Sequence, residues 1–134
     1  MNKEISESLQ SQFLALYCMV VADGVIDIKE LETLYRIGSE QYGLTSQDIN
    51  NSVLKKGTSF IVPENMESKI KFLYNLATIA WADGVLEESE KELMHKYIIR
   101  LGFLKENTEA IADFIFDCVQ KGKTIEETLV LAES

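Results

Sequence analysis

A nine-residue motif occurs twice in this 134-residue chain and constrains its fold more than any other feature. The first copy is ADGVIDIKE at residues 22–30, and the second is ADGVLEESE at residues 82–90. The first four residues coincide, an apolar residue follows at the fifth position, and Glu stands at the ninth in both. Each copy follows a long apolar run and precedes an amphipathic segment. We therefore predict two copies of one helix–turn–helix unit with pseudo-twofold symmetry, each turn carrying carboxylates.

Helical periodicity covers most of the chain. Apolar residues recur every three or four positions, and glycines or capping residues separate the periodic segments. No useful length of sequence alternates between apolar and polar residues, as a half-buried strand would. The predicted fold class is all-α, with about seven helices near residues 3–21, 27–42, 45–56, 66–82, 87–101, 107–121 and 124–132.

A chain of this length predicts a single domain, here residues 1–134. Its repeat halves are expected at about residues 5–56 and 66–122. The segment between them holds the only proline, Pro63, and an apolar triplet at residues 60–62 that we expect to pack across the core.

The formal net charge of −9 limits the classes of partner. Nucleic acid and anionic lipid would repel such a chain, whereas cations and basic protein partners would be attracted. The N-terminal residues are polar, and the longest apolar block, residues 13–22, is too short to cross a bilayer. We expect no direct membrane insertion and a cytoplasmic protein in which Cys18 and Cys118 are free thiols.

The carboxylates of the two turns are the candidate metal ligands. Six positions are involved: Asp23, Asp27, Glu30, Asp83, Glu87 and Glu90. If the two units pack symmetrically, the turns approach each other and pool these side chains. Such a cluster would require bound protons or a cation, because like charges at close range repel strongly. If the turns lie at opposite ends of the molecule, each site is weak.

Each turn also matches half of an EF-hand loop. With Gly24 at the sixth position of that loop, Asp23 stands at the fifth and Glu30 at the twelfth, where a bidentate Glu binds calcium. The first and third positions, however, are Met19 and Val21, whose side chains do not ligate calcium. Neither turn is therefore a calcium loop on its own.

Helix capping explains the same residues without a metal. Asp27 and Glu30 have the spacing of an N-cap and its capping-box partner, and Glu87 and Glu90 repeat that spacing. Acidic residues in a first helical turn also complement the helix dipole. The cation and capping interpretations both remain open at this point.

The doubled pattern A-D-G-x-hydrophobic-x-x-x-E resembles the TerB-like tellurite-resistance family, a relative of which occurs in DnaJ-type co-chaperones as an N-terminal domain. The resemblance extends over about residues 5–130. It implies an all-helical, internally duplicated bacterial stress-response domain. The family's acidic residues, suspected of binding metal, fall on Asp23, Glu30, Asp83 and Glu90.

No catalytic constellation is visible in the sequence. His95 is the only histidine and has no nucleophile beside it, and the turn glycines lack the run of glycines and the Lys of a phosphate loop. We expect a non-enzymatic protein. One hypothesis is a module that binds a divalent cation of unknown identity. The other is a protein–protein interaction module in which the turns are only helix caps and an apolar groove between the halves receives a partner helix.

Overall fold

A computed structural model describes residues 6–54 and 59–133 of the chain. All regular structure in these ranges is helical, which confirms the all-α fold class. The seven α-helices are α1 (Glu7–Val20), α2 (Ile28–Tyr42), α3 (Ser46–Leu54), α4 (Met66–Ala80), α5 (Glu88–Arg100), α6 (Thr108–Gln120) and α7 (Ile125–Ala132). One 3₁₀ turn, Lys105–Asn107, leads into α6. The internal duplication and its twofold axis stay a prediction.

Side-chain caps set the helix boundaries. Ser6 begins α1 by accepting a hydrogen bond from the Leu9 N–H at 3.2 Å, and Asn65 begins α4 by accepting from the Ser68 N–H at 2.8 Å. Gly43 ends α2 in the left-handed conformation, with φ of 66°. The residues predicted to open the first helix and to close the third, residues 3–5 and 55–56, lie outside the described residues.

Helix α4 occupies the centre of the molecule. It packs against α1, α2, α5, α6 and α7. Its buried apolar residues cover about half of the helix circumference, and those that are fully buried include Phe72, Leu73, Leu76, Ala77, Ile79 and Ala80. A wide apolar face is stable only when other elements cover it, and the five helices packed against α4 do so.

The connection between the two halves contributes one aromatic side chain to the core. The Phe60 ring lies 5.2 Å from the Phe72 ring and 5.1 Å from the Tyr97 ring, measured between centroids. The expectation for this triplet was wrong for Ile61 and Val62, which are 39% and 42% exposed. The connection runs over the surface of the helices, so only part of it can face inward.

Two other expectations concern membranes and thiols. None of the helices in the described part of the chain combines the length and the apolar character needed to cross a bilayer. Cys18 is half-buried and Cys118 is buried, and both are free thiols as expected.

Candidate cation site between the two acidic turns

The first acidic turn (residues 22–30) and the second acidic turn (residues 82–90) have the same local backbone. Gly24 and Gly84 have φ values of 84° and 82°, a region that glycine adopts without strain. The carboxylate of Asp23 accepts a hydrogen bond from the Val25 N–H at 3.1 Å. The carboxylate of Asp83 accepts a hydrogen bond from the Val85 N–H at 3.0 Å. The aspartate that precedes glycine therefore shapes each turn, a role that the Asp-Gly dipeptide itself signals.

Tertiary packing brings the two turns together. Helices α1 and α4 pack against each other, and each leads directly into one of the turns. One carboxylate oxygen from each of Asp27, Glu30 and Asp83 lies within 4.8 Å of the other two. Two of these residues belong to the first turn and one to the second, so the cluster is formed between the turns.

A pair of buried glutamates lies at the base of this cluster. Glu30 is only 3% exposed and Glu90 only 2%, although glutamate is almost never fully buried without a partner. The two carboxyl groups lie near enough to each other across the turns to share a proton, and this proximity contributes to the raised pKa of Glu30. A hydrogen bond between two carboxyl groups requires a proton on one of them.

Burial and neighbouring charge determine which glutamate keeps the proton. Burial raises the pKa of Glu30 to about 9, with further contributions from the hydrogen bond and charge of Glu90 and from the charges of Asp83 and Asp27. Burial also raises the pKa of Glu90, but the hydrogen bonds from Glu87 and Glu30 oppose that shift. The N–H that donates to Glu90 favours its anion, so we expect the shared proton to lie on Glu30.

The backbone hydrogen bonds of the turns distinguish the same two residues. The Glu90 carboxylate accepts from the Glu87 N–H at 2.8 Å, which is one half of the expected capping box. In the first turn the cap is Asp27, whose carboxylate accepts from the Glu30 N–H at 3.1 Å. The Oε1 atom of Glu30 is buried and has no hydrogen-bond partner among the described residues. A buried polar atom without a partner carries a desolvation penalty, so its presence requires an explanation.

The structure thus brings together four of the six predicted ligands. Asp27, Glu30 and Asp83 form the cluster, and Glu90 contacts Glu30 from the second turn. The side chains of Asp23 and Glu87 are exposed, and Glu87 contributes through its backbone N–H. The sequence predicted the residues of the cluster, but not the contact between the two buried glutamates, because that contact depends on the packing of helices distant in sequence.

All donors of the cluster are carboxylate oxygens. Hard cations such as Mg²⁺, Mn²⁺ and Ca²⁺ prefer such ligands, whereas softer metals favour imidazole and thiolate. Calcium takes six to eight oxygen ligands and Mg²⁺ usually keeps several water molecules, so water would share such a site with the carboxylates. The donor set is therefore of the kind that binds hard divalent cations.

Comparison with known proteins adds no further assignment. No protein-family model matches the chain, and neither a curated protein nor a solved structure matches it. The resemblance to the TerB-like family therefore rests on the doubled motif alone.

Proposed function

We propose that this protein is a non-enzymatic, cytoplasmic, TerB-like stress-response domain whose biochemical activity is the binding of one hard divalent cation between its two acidic turns. The cation would contact Asp27 and Glu30 from the first turn and Asp83 from the second. Glu90 would complete the set, either as a ligand or by holding Glu30 in place.

The observation that supports this proposal is the Oε1 atom of Glu30. It is buried, it has no hydrogen-bond partner among the described residues, and it belongs to a side chain within 4.8 Å of two further carboxylates. Capping does not account for it, because this oxygen accepts from no backbone N–H among the described residues. A cation would satisfy this oxygen and offset the repulsion between the surrounding carboxylates.

Binding would couple the two halves of the molecule. The ligands come from residues before and within the first turns of α2 and α5, which are far apart in the sequence. A cation that binds all of them stabilises only the folded arrangement, because the unfolded chain does not hold these groups together. The expected consequence is a rise in stability on binding.

The alternative is an interaction module in which the acidic turns are only caps. Two observations are consistent with it: Asp27 and Glu90 both accept hydrogen bonds from helix N-terminal N–H groups. A proton held permanently between Glu30 and Glu90 would then replace the cation. The two candidates differ in one measurable property, which is the effect of divalent ions on stability.

Thermal unfolding of chelator-treated protein, with and without Mg²⁺, Mn²⁺, Ca²⁺ or Zn²⁺, tests the proposal. An ion at a hundredfold excess over its dissociation constant raises the free energy of unfolding by about 2.7 kcal/mol. For a chain of this length the midpoint would rise by roughly 10 °C. We expect one of the three hard ions to produce this shift.

Two matched variants locate the site. Glu30→Gln keeps the side-chain shape and replaces a charged ligand by a weaker neutral one, so the ion-dependent shift should be largely lost while the helical content is retained. Glu32→Gln removes an exposed carboxylate only two residues away in the same helix, and its shift should equal that of the wild type. If no ion shifts the midpoint, or if both variants lose the shift equally, the cation site is wrong and the capping alternative stands.

A further inference from the structure

A second feature of the molecule is an apolar cleft of about 530 Å³ between α4, α6 and α7. Its apolar lining includes Met66, Ile70, Phe103, Ile111, Phe114 and Leu129. The cleft opens at the N-terminal end of α4, whereas the acidic turn follows the C-terminal end of that helix. Since a helix rises about 1.5 Å per residue, roughly 20 Å separates the two features. The cleft is therefore distinct from the candidate cation site.

Apolar side chains remain exposed around this cleft. Helix α7 ends in four consecutive apolar residues, 129–132, and Leu131 is 42% exposed although it lines the cleft. On the opposite wall, Met66 is 56% exposed. A short surface helix of a soluble protein usually keeps its apolar residues on one inward-facing stripe. An exposed apolar run beside a cleft is typical of a surface that another molecule covers.

The charge at the cleft indicates what kind of molecule would cover its exposed apolar side chains. Among the described residues that line the cleft, those that titrate are Glu67 and Glu133, both acidic. One lysine, Lys69, lies at the edge, with its Nζ atom 5.9 Å from the centre of the Phe103 ring. A second copy of this chain would bring an equally acidic rim and a net charge of −9, so electrostatic repulsion disfavours a dimer here. A basic partner is favoured instead.

The shape of the surface separates a partner helix from a small ligand. Three helices form the walls, and the exposed apolar side chains extend the surface beyond the cleft itself. A small molecule within the cleft would leave these side chains in water. An amphipathic helix laid into the groove would cover them, using apolar anchors three, four and seven residues apart.

We propose that the cleft between α4, α6 and α7 is a docking site for a basic amphipathic helix of a partner protein. The apolar face of that helix contacts Phe114, Leu129 and Leu131, and its Lys or Arg residues face Glu67 and Glu133. The docking site does not depend on the cation. It differs in position from the groove between the two sequence halves that the sequence led us to expect.

Selection from a random 16-residue peptide display library, with the intact chain as bait, tests this proposal. We expect the enriched peptides to share apolar residues at helical spacing and a net positive charge. A synthetic copy of the most enriched peptide, measured by fluorescence anisotropy, should bind Leu131→Ser at least tenfold more weakly than the wild type. Ile26→Ser removes a similarly exposed aliphatic side chain at the acidic turns, where Ile26 is 52% exposed, and should bind as tightly as the wild type.

Further measurements distinguish the possible outcomes. A copy of the peptide with Glu in place of each basic residue should bind at least tenfold more weakly, since the rim is acidic. Leu131 is partly exposed, so circular dichroism should show both variants folded, and Glu30→Gln, which removes the cation ligand, should leave peptide affinity unchanged. The proposal is overturned if no helical basic pattern is enriched, if both serine variants lose binding equally, or if sedimentation shows a dimer that Leu131→Ser dissociates.

Discussion

The two acidic turns have nearly the same backbone, yet they hold their glutamates in different electrostatic states. In each turn, an aspartate carboxylate accepts from the N–H of the valine two residues later, at 3.1 Å in the first turn and 3.0 Å in the second. The difference lies at the helix N-terminus. Glu90 caps the Glu87 N–H, whereas Glu30 has an Oε1 atom without a partner among the described residues.

The two turns also differ in the residue at the N-cap. In the first turn the Asp27 carboxylate accepts from the Glu30 N–H, and the Oε1 atom of Glu30 accepts no hydrogen bond in return among the described residues. In the second turn the N-cap is Glu87, and its N–H donates to the Glu90 carboxyl. Equivalent glutamates thus make different contacts with the backbone, because Glu90 accepts from its N-cap residue and the Oε1 atom of Glu30 has no partner among the described residues.

The largest effect that tests this comparison is the pH dependence of stability. The pKa of Glu30 is raised in the folded protein from 4.5 to about 9, so the folded state binds this proton more tightly than the unfolded state. Its contribution to stability is fully present below pH 4.5 and is lost as the pH rises through 9. Between about pH 5 and pH 7, the wild type should therefore lose on the order of 2–3 kcal/mol more than Glu30→Gln.

Urea unfolding in chelator, repeated across this pH range for both proteins, measures that difference. Glu30→Gln is the reference for the wild type, because its amide does not titrate and can still donate a hydrogen bond to Glu90. Parallel stability curves for the two proteins would show that Glu30 is not the protonated member of the pair.

A smaller effect is expected from replacing each glutamate by leucine. Glu90→Leu leaves the Glu87 N–H without its acceptor and Glu30 without its charged partner, whereas Glu30→Leu removes no backbone cap. We expect Glu90→Leu to be less stable than Glu30→Leu by about 1–3 kcal/mol, the penalty for buried polar groups left unpaired. Urea unfolding near neutral pH in chelator measures this difference, and equal losses would mean that the two glutamates are interchangeable.

The smallest difference should come from the turn glycines. Alanine at either position would meet no atom within 4 Å, so the only penalty is the positive φ. Gly24→Ala and Gly84→Ala should each lower the free energy of unfolding by about 1 kcal/mol. Because the φ values are 84° and 82°, the two losses should agree within roughly 0.5 kcal/mol. Unequal thermal melts of the two variants would show that the turns differ in backbone conformation after all.

Most of the helices could be predicted from the sequence because their signals are local. The spacing of apolar residues and the caps at Asp27, Asn65 and Thr124 depend only on neighbours along the chain. The connection at residues 59–65 was harder, since nothing local tells which of Phe60, Ile61 and Val62 faces the core. Only Phe60 does, because its ring packs against the rings of Phe72 and Tyr97.

At the candidate site, too, the features that depend on local sequence could be predicted and those that depend on tertiary contacts could not. The doubled motif identified the carboxylates and allowed either clustered or separate turns. The Asp-Gly turn chemistry was also encoded locally, although its role was recognised only from the hydrogen bonds to Val25 and Val85. The apolar cleft carried no local signal, because its walls come from α4, α6 and α7, which are separated along the chain.

The sequence by itself determined the all-helical fold, the helix boundaries within a few residues and the identity of the acidic turn residues, since each depends on side chains close together in the chain. Only the tertiary structure decided that the turns meet, that Glu30 and Glu90 are buried against each other, and that Glu30 retains a buried oxygen without a partner. Burial and the distance between charges set the pKa of a carboxyl group. Both quantities are created when α1 and α4 pack, and neither exists in the linear sequence.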